Sequence, residues 1–181
     1  MDRLGQFFTI GAVVIGSIVI SVVVSLSSSF SEPSQTSVSP YFDSASRSAP
    51  EAVDDAVKTN RSVENIRKRL YGHHRFVEVV SQRRGIDYRS KHFVIFPGRK
   101  ALYLNFAPEK STINVSVSGT EVSETVNASQ SAELALPQGN RYEVEILEEG
   151  ISESLDATQI RNVVFTYMSS DSEVLRRTTV K

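Results

Sequence analysis

Residues 92–106 read HFVIFPGRKALYLNF. The run His92–Phe96 stops at Pro97-Gly98, a pair that turns the chain. Beyond the turn, Leu102, Leu104 and Phe106 alternate with Tyr103 and Asn105. A period of two sends successive side chains to opposite faces of a strand, so this stretch predicts strand, turn and strand. The same period recurs downstream. Ile113, Val115 and Val117 alternate with Asn114, Ser116 and Ser118, Tyr142, Val144 and Ile146 alternate with Glu143 and Glu145, and Val163, Phe165 and Tyr167 repeat the pattern. Strand signals return every eight to twelve residues, separated by turns such as Pro137-Gln138-Gly139-Asn140. That spacing predicts seven or so short strands over residues 86–181, in an antiparallel sheet, sandwich or barrel with one wet face.

Upstream of Gly85 the period changes to 3.6. Ala56, Thr59, Val63, Ile66, Leu70, His73, Val77 and Val80 follow three-four spacing, which is one apolar stripe on a helix. Ser48-Ala49-Pro50-Glu51 has the residues of a capping box with proline in the first turn, and Arg83-Arg84-Gly85 those of a helix end. The expectation is a basic amphipathic helix over 49–85, either single or broken near Asn60–Ser62, laid on the sheet. The predicted class is therefore α+β. His73 falls in the stripe and His74 outside it, toward solvent. Adjacent helical residues point about 100° apart, so this pair does not converge on one ion, and no metal site is expected.

Residues 27–48 contain ten serines together with Pro33 and Pro40. Such a composition buries little apolar area and predicts a flexible linker. Before it, Phe7–Leu26 reads FFTIGAVVIGSIVISVVVSL, twenty residues without a charge. A helix of that length spans about 30 Å, the thickness of a bilayer core. The expected layout is a cytoplasmic start at 1–5, a transmembrane anchor at 6–26, and the remainder outside the cell membrane, with Arg3 on the inner side. An alternative is cleavage near Ser25–Ser28, as in a secretory signal. Ser17, Ser21 and Ser25 repeat every four residues, as do Ala12 and Gly16, a stripe that lets helices approach closely and self-associate. Three N-x-S/T sequons, at Asn60, Asn114 and Asn127, are candidate glycosylation sites and agree with an exported domain.

The start Arg3-Leu4-Gly5-Gln6-Phe7-Phe8 resembles that of archaeal type IV pilin-like precursors, which carry a class III signal peptide. The resemblance implies processing between Gly5 and Gln6, with Arg3 as the basic element. It also implies a retained helix that packs into a filament. Leu4 stands where that family usually has a charge, and Ile10 where many bacterial pilins have Glu. Further along, Leu136-Pro137-x-Gly139-x-x-Tyr142-x-Val144 resembles a turn-and-strand element of extracellular immunoglobulin-like modules, which implies no particular function.

Charge is unevenly spread. Residues 50–100 carry twelve Lys/Arg against six Asp/Glu, a net +6, and residues 101–160 carry two against ten, a net −8. The two halves either pack with complementary charge or the basic half meets phosphate or lipid headgroups. There is no cysteine, so disulfides and thiolate chemistry are excluded. No G-x-S-x-G, phosphate-binding loop or dinucleotide fingerprint occurs. Glu143, Glu145, Glu148 and Glu149 form the one acidic cluster, and Glu143 with Glu145 reads as a solvated sheet face. No enzyme activity, cofactor or nucleic-acid partner is expected. The expected role is structural or adhesive: a pilin-like assembly subunit, or alternatively a non-assembling anchored module for a surface protein or glycan.

Overall fold

The structure is a computed structural model and describes residues 37–59 and 61–181. Among these residues two helices come first, α1 (Ser39–Thr59) and α2 (Val63–Gln82). Nine strands follow: β1 (Asp87–Phe96), β2 (Lys100–Asn105), β3 (Ser111–Val117), β4 (Thr120–Val126), β5 (Gln130–Ala135), β6 (Arg141–Ile146), β7 (Ile151–Asp156), β8 (Arg161–Ser169) and β9 (Val174–Val180). A 3-10 turn, Leu147–Glu149, separates β6 from β7. The strands form two antiparallel sheets, ordered β5-β2-β1-β8-β9 and β4-β3-β6-β7.

Parity assigns the layers. Phe93 and Ile95 of β1 and Tyr103 of β2 pack with Ile113, Val115, Tyr142, Val144 and Ile146 of the second sheet. The opposite-parity residues Val94, Phe96, Leu102 and Leu104 pack with Val53, Ala56, Ile66 and Leu70 of the helices. The first sheet is therefore the middle layer, covered by helices on one face and by the second sheet on the other. This explains the unbroken run His92–Phe96, because a strand buried on both faces has no polar side to alternate with. The expected single wet face holds for the outer sheet, where β3 and β6 alternate strictly between buried and accessible residues.

Four of the nine strands, β4, β5, β7 and β9, lie at sheet edges. They are rich in Ser, Thr, Glu and Arg, so their apolar alternation is weak and the predicted count of about seven fell short. Hydrogen bonding to an already formed neighbour supplies what their side chains lack.

Of the two readings of the 49–85 segment, the broken helix is the one found: α1 ends at Thr59 and α2 starts at Val63, with Ser62 Oγ accepting from the Asn65 N–H at 3.2 Å. Helix α1 also starts at Ser39, ten residues inside the predicted linker, and runs through Pro50. Phe42, Ala45, Ala49 and Val53 form a buried stripe along it, and Ser48 Oγ donates back to the Ala45 carbonyl at 3.2 Å. Burial of that stripe outweighs an internal proline, which costs about 3 kcal/mol. The end of α2 is as expected: Gly85 takes φ +69°, a conformation open to glycine at little cost.

The helix face is rotated relative to the predicted seam. Ile66, Leu70, His74, Val77 and Ser81 are buried, so His74 points at the sheet. His73 is half-buried beside α1. The expectation that His74 faces solvent is corrected, because the seam is set by the sheet beneath rather than by hydrophobicity along α2 alone.

Candidate functional site

Arg3, Gly5, Gln6, Ala12, Gly16, Ser17, Ser21, Ser25 and Asn60 lie outside the described residues. Asn114 sits on the wet face of β3, half-buried, opposite Ser123 and Glu145. Asn127 lies on the exposed turn between β4 and β5, its backbone carbonyl held by the Gln130 N–H and the Asn105 side chain. Glu143 and Glu145 are exposed on the outer face of β6.

Glu148 and Glu149 behave differently from that pair. They cap the open end of the sandwich beside Lys91, whose side chain is only 4% exposed. Lys91 shares parity with Phe93 and Ile95, so it points between the sheets just where the apolar filling ends. Its Nζ donates to Glu149 at 2.7 Å and lies 4.0 Å from Glu148. Glu148 also accepts from the Thr112 N–H at 2.7 Å and from Ser111 Oγ at 2.8 Å. Ser111 in turn accepts from the buried Tyr103 hydroxyl at 2.7 Å. Partial burial pushes the Glu148 carboxyl up, but these hydrogen bonds and Lys91 outweigh it and hold the group below the usual carboxylate range. Burial pushes the Tyr103 phenol up, only partly offset by Ser111. The network ties the turn after β6 to the middle sheet.

This network forms one wall of a cleft of about 320 Å³, bounded by Arg89, Lys91, Glu109, Lys110, Phe165, Tyr167 and Arg176. Strand register builds the other wall. Arg89 on β1 is the partner of Tyr167 on β8, and Tyr167 is the partner of Arg176 on β9. The two guanidinium groups accordingly flank one ring, at 5.2 Å and 5.6 Å from its centroid. Arg89 is shared with Asp87 at 2.8 Å and Glu109 at 3.5 Å. Arg176 and Lys110 have no carboxylate within 4 Å among the described residues. A wall with the free cations Arg176 and Lys110 at its edge suits a ligand that carries an anionic group.

A second polar group lies buried under the helices. His74 Nδ1 and His92 Nε2 both reach Ser90 Oγ, at 3.1 and 3.2 Å. His74 stacks on Phe106 with centroids 4.1 Å apart. His73 Nε2 lies 2.8 Å from Ser48 Oγ. A hydroxyl beside an imidazole is the arrangement of a nucleophile and its base. Here Ser90 and His92 are fully buried. The Ser48 hydroxyl also reaches the Ala45 carbonyl at 3.2 Å, so its one proton is contested between that carbonyl and the His73 ring. Burial drives the His74 imidazole down to about 4, with His73 beside it adding to the effect, and holds His92 well below its ordinary value. These are neutral packing histidines.

Compared with family models, curated proteins and solved structures, the chain matches none of them.

Lys91 and the Arg89–Tyr167–Arg176 stack were not singled out from the sequence. A signal for Lys91 existed: it precedes Phe93 and Ile95 by two and four residues, so a charge falls on a core-facing parity. Arg176 offered none, because only the β8–β9 register brings it to Tyr167.

Proposed function

We propose that this chain is a membrane-anchored, non-enzymatic surface protein whose α+β domain binds an acidic ligand, such as a carboxylated or sulfated glycan, outside the cell. The observation that carries the binding half is the Arg89–Tyr167–Arg176 stack beside Lys110, which has no carboxylate partner among the described residues. The Arg176 guanidinium fork and Lys110 hold the acid group of the ligand, and the Tyr167 ring braces Arg176. The anchor rests on Phe7–Leu26, twenty uncharged residues. Of the two sequons among the described residues, Asn127 is the more open acceptor, since Asn114 is half-buried within a strand.

The test is binding of the detergent-extracted full chain to an array of acidic and neutral oligosaccharides. Retention of acidic members only, lost in Tyr167→Ala and Arg176→Ala, supports the reading. Equal retention by those variants, or none by the wild type, removes it.

A second reading, a pilin-like assembly subunit joined through Gln6–Leu26, is favoured by the Gly5-Gln6-Phe7-Phe8 start and the small-residue stripes. The N-terminus and intact mass of the protein from its native membrane separate the two. A chain starting at Gln6 supports assembly, one starting at Met1 or Asp2 supports a simple anchor, and one starting near Ser27 defeats both.

A further inference from the structure

The outward face of the helical layer is not uniform along its length. At the end where α1 finishes and α2 begins, acids lie among the bases and pair with some of them, Asp55 with Arg69, Glu64 with Arg67 and Asp54 with Lys181, while Lys58, Arg61 and Lys68 are exposed without a carboxylate within 4 Å among the described residues. At the other end the pairing stops. Arg75, Arg83 and Arg84 are exposed, and none has a carboxylate within 4 Å among the described residues. Asp43, the acid on α1 at that end, is taken by Arg177 at 2.8 Å. Glu78 is half-buried to one side of the helix. Between the arginines lie the two most exposed apolar residues of the helices, Phe76 at 69% and Val79 at 40%. Exposed aromatic and aliphatic side chains among unpaired guanidinium groups are the composition of a surface that lies on lipid headgroups.

The chain enters the domain at this same end. Val38 and Phe42 pack with Val77, and Arg84 lies 4.8 Å from the Tyr41 ring. Twelve residues separate Leu26 from Ser39, and a chain of that length cannot reach beyond about 40 Å even fully extended. The basic, apolar end of the layer is thus kept within reach of the membrane that Phe7–Leu26 would cross, while the cleft around Tyr167 is lined from the opposite face of the middle sheet. Tethering makes even a weak surface contact an intramolecular one.

We infer that the α2 face formed by Arg75, Phe76, Val79 and Arg83 docks on the anionic headgroups of the bilayer that holds the chain's own anchor. The inference rests on the anchor reading above. Its charge component weakens with salt, because exposed guanidinium–phosphate attraction is screened.

The chain has no cysteine, so Val79→Cys places one spin label on this face of the full-length protein. A label at Ser123→Cys, on the exposed outer sheet, serves as reference. The probe is collision with a water-soluble relaxing agent in vesicles of phosphatidylglycerol and phosphatidylcholine in equal parts, and in phosphatidylcholine alone. The expected result is a several-fold loss of collisions at position 79 in the anionic vesicles only, with no change at 123, and recovery of collisions in Arg75→Glu/Arg83→Glu. Free collision at 79 in both vesicles, with the chain still resisting alkaline extraction, overturns the docking surface and leaves the anchor standing. Equal protection in both vesicles overturns the role of charge. Spin–spin broadening at 79 means a second copy covers the face, and also overturns it. A chain washed out by alkali removes the anchor reading and the docking with it.

Discussion

At the scale of single residues, the fold depends on a few polar side chains placed where the apolar filling ends. Lys91 is the clearest. Replacing it with Met leaves Glu148 and Glu149 facing each other, half out of water, without their cation. The expected loss is about 2–3 kcal/mol in urea unfolding at neutral pH, below the range for a fully buried pair because Glu148 is partly solvated. The loss should shrink only in acid, as pH falls through the lowered range of the Glu148 carboxyl. Tyr142 acts by a different route. Its hydroxyl lies 2.8 Å from both the Pro137 and Gly139 carbonyls, which fastens the turn before β6. Tyr142→Phe should cost about 1 kcal/mol, read from the same unfolding curve. That turn was legible in the sequence as Pro137-x-Gly139-x-x-Tyr142, because its signal is local. The Lys91–Glu149 pair was not, since its members stand 58 positions apart.

At the scale of elements, the contact between helices and middle sheet carries a pH dependence. His74 is buried and its imidazole titrates near 4 in the folded chain, against about 6.5 when free. The unfolded chain therefore binds the proton first as pH falls. The stability this group supports is whole above pH 6.5 and is lost progressively between 6.5 and 4, by about 3 kcal/mol for His74 alone. Carboxylates titrate over part of the same range, so the test is a difference: His74→Phe, which keeps the ring stack, should flatten that part of the stability–pH curve. The α1–α2 junction gives a simpler check. Ser62→Ala removes the hydroxyl that accepts from Asn65 and should cost about 1 kcal/mol. Element types were largely readable because period 3.6 and period 2 differ plainly on either side of Gly85. Element limits were less so. The Ser-rich stretch from Ser39 to Ser48 lacks the composition of a strong helix former, and only the buried stripe of Phe42, Ala45 and Ala49 makes it one.

At the scale of the whole described domain, the middle sheet is shared by two cores, so neither the helices nor the outer sheet can leave without exposing it. Leu70→Ala, deep under the helices, should cost about 2–5 kcal/mol, and unfolding should remain a single transition by both far-ultraviolet dichroism and tyrosine fluorescence. Amides of β1 and β2 should exchange slowest, and those of the edge strands β4, β7 and β9 fastest.

The sequence by itself determined the class of fold, two helices' worth of 3.6 periodicity followed by antiparallel strands, because those signals lie in neighbouring residues and in which faces turn apolar. It also located the turns and offered the helix break as one of two readings, since both depend on local backbone preference. Tertiary structure decided the rest: how nine strands divide between two sheets, why His74 rather than His73 is buried, where α1 begins, and how Arg89, Tyr167 and Arg176 meet. Each of these depends on contacts between residues far apart in the chain, and such contacts are selected by burial against a surface that exists only once the other elements have formed.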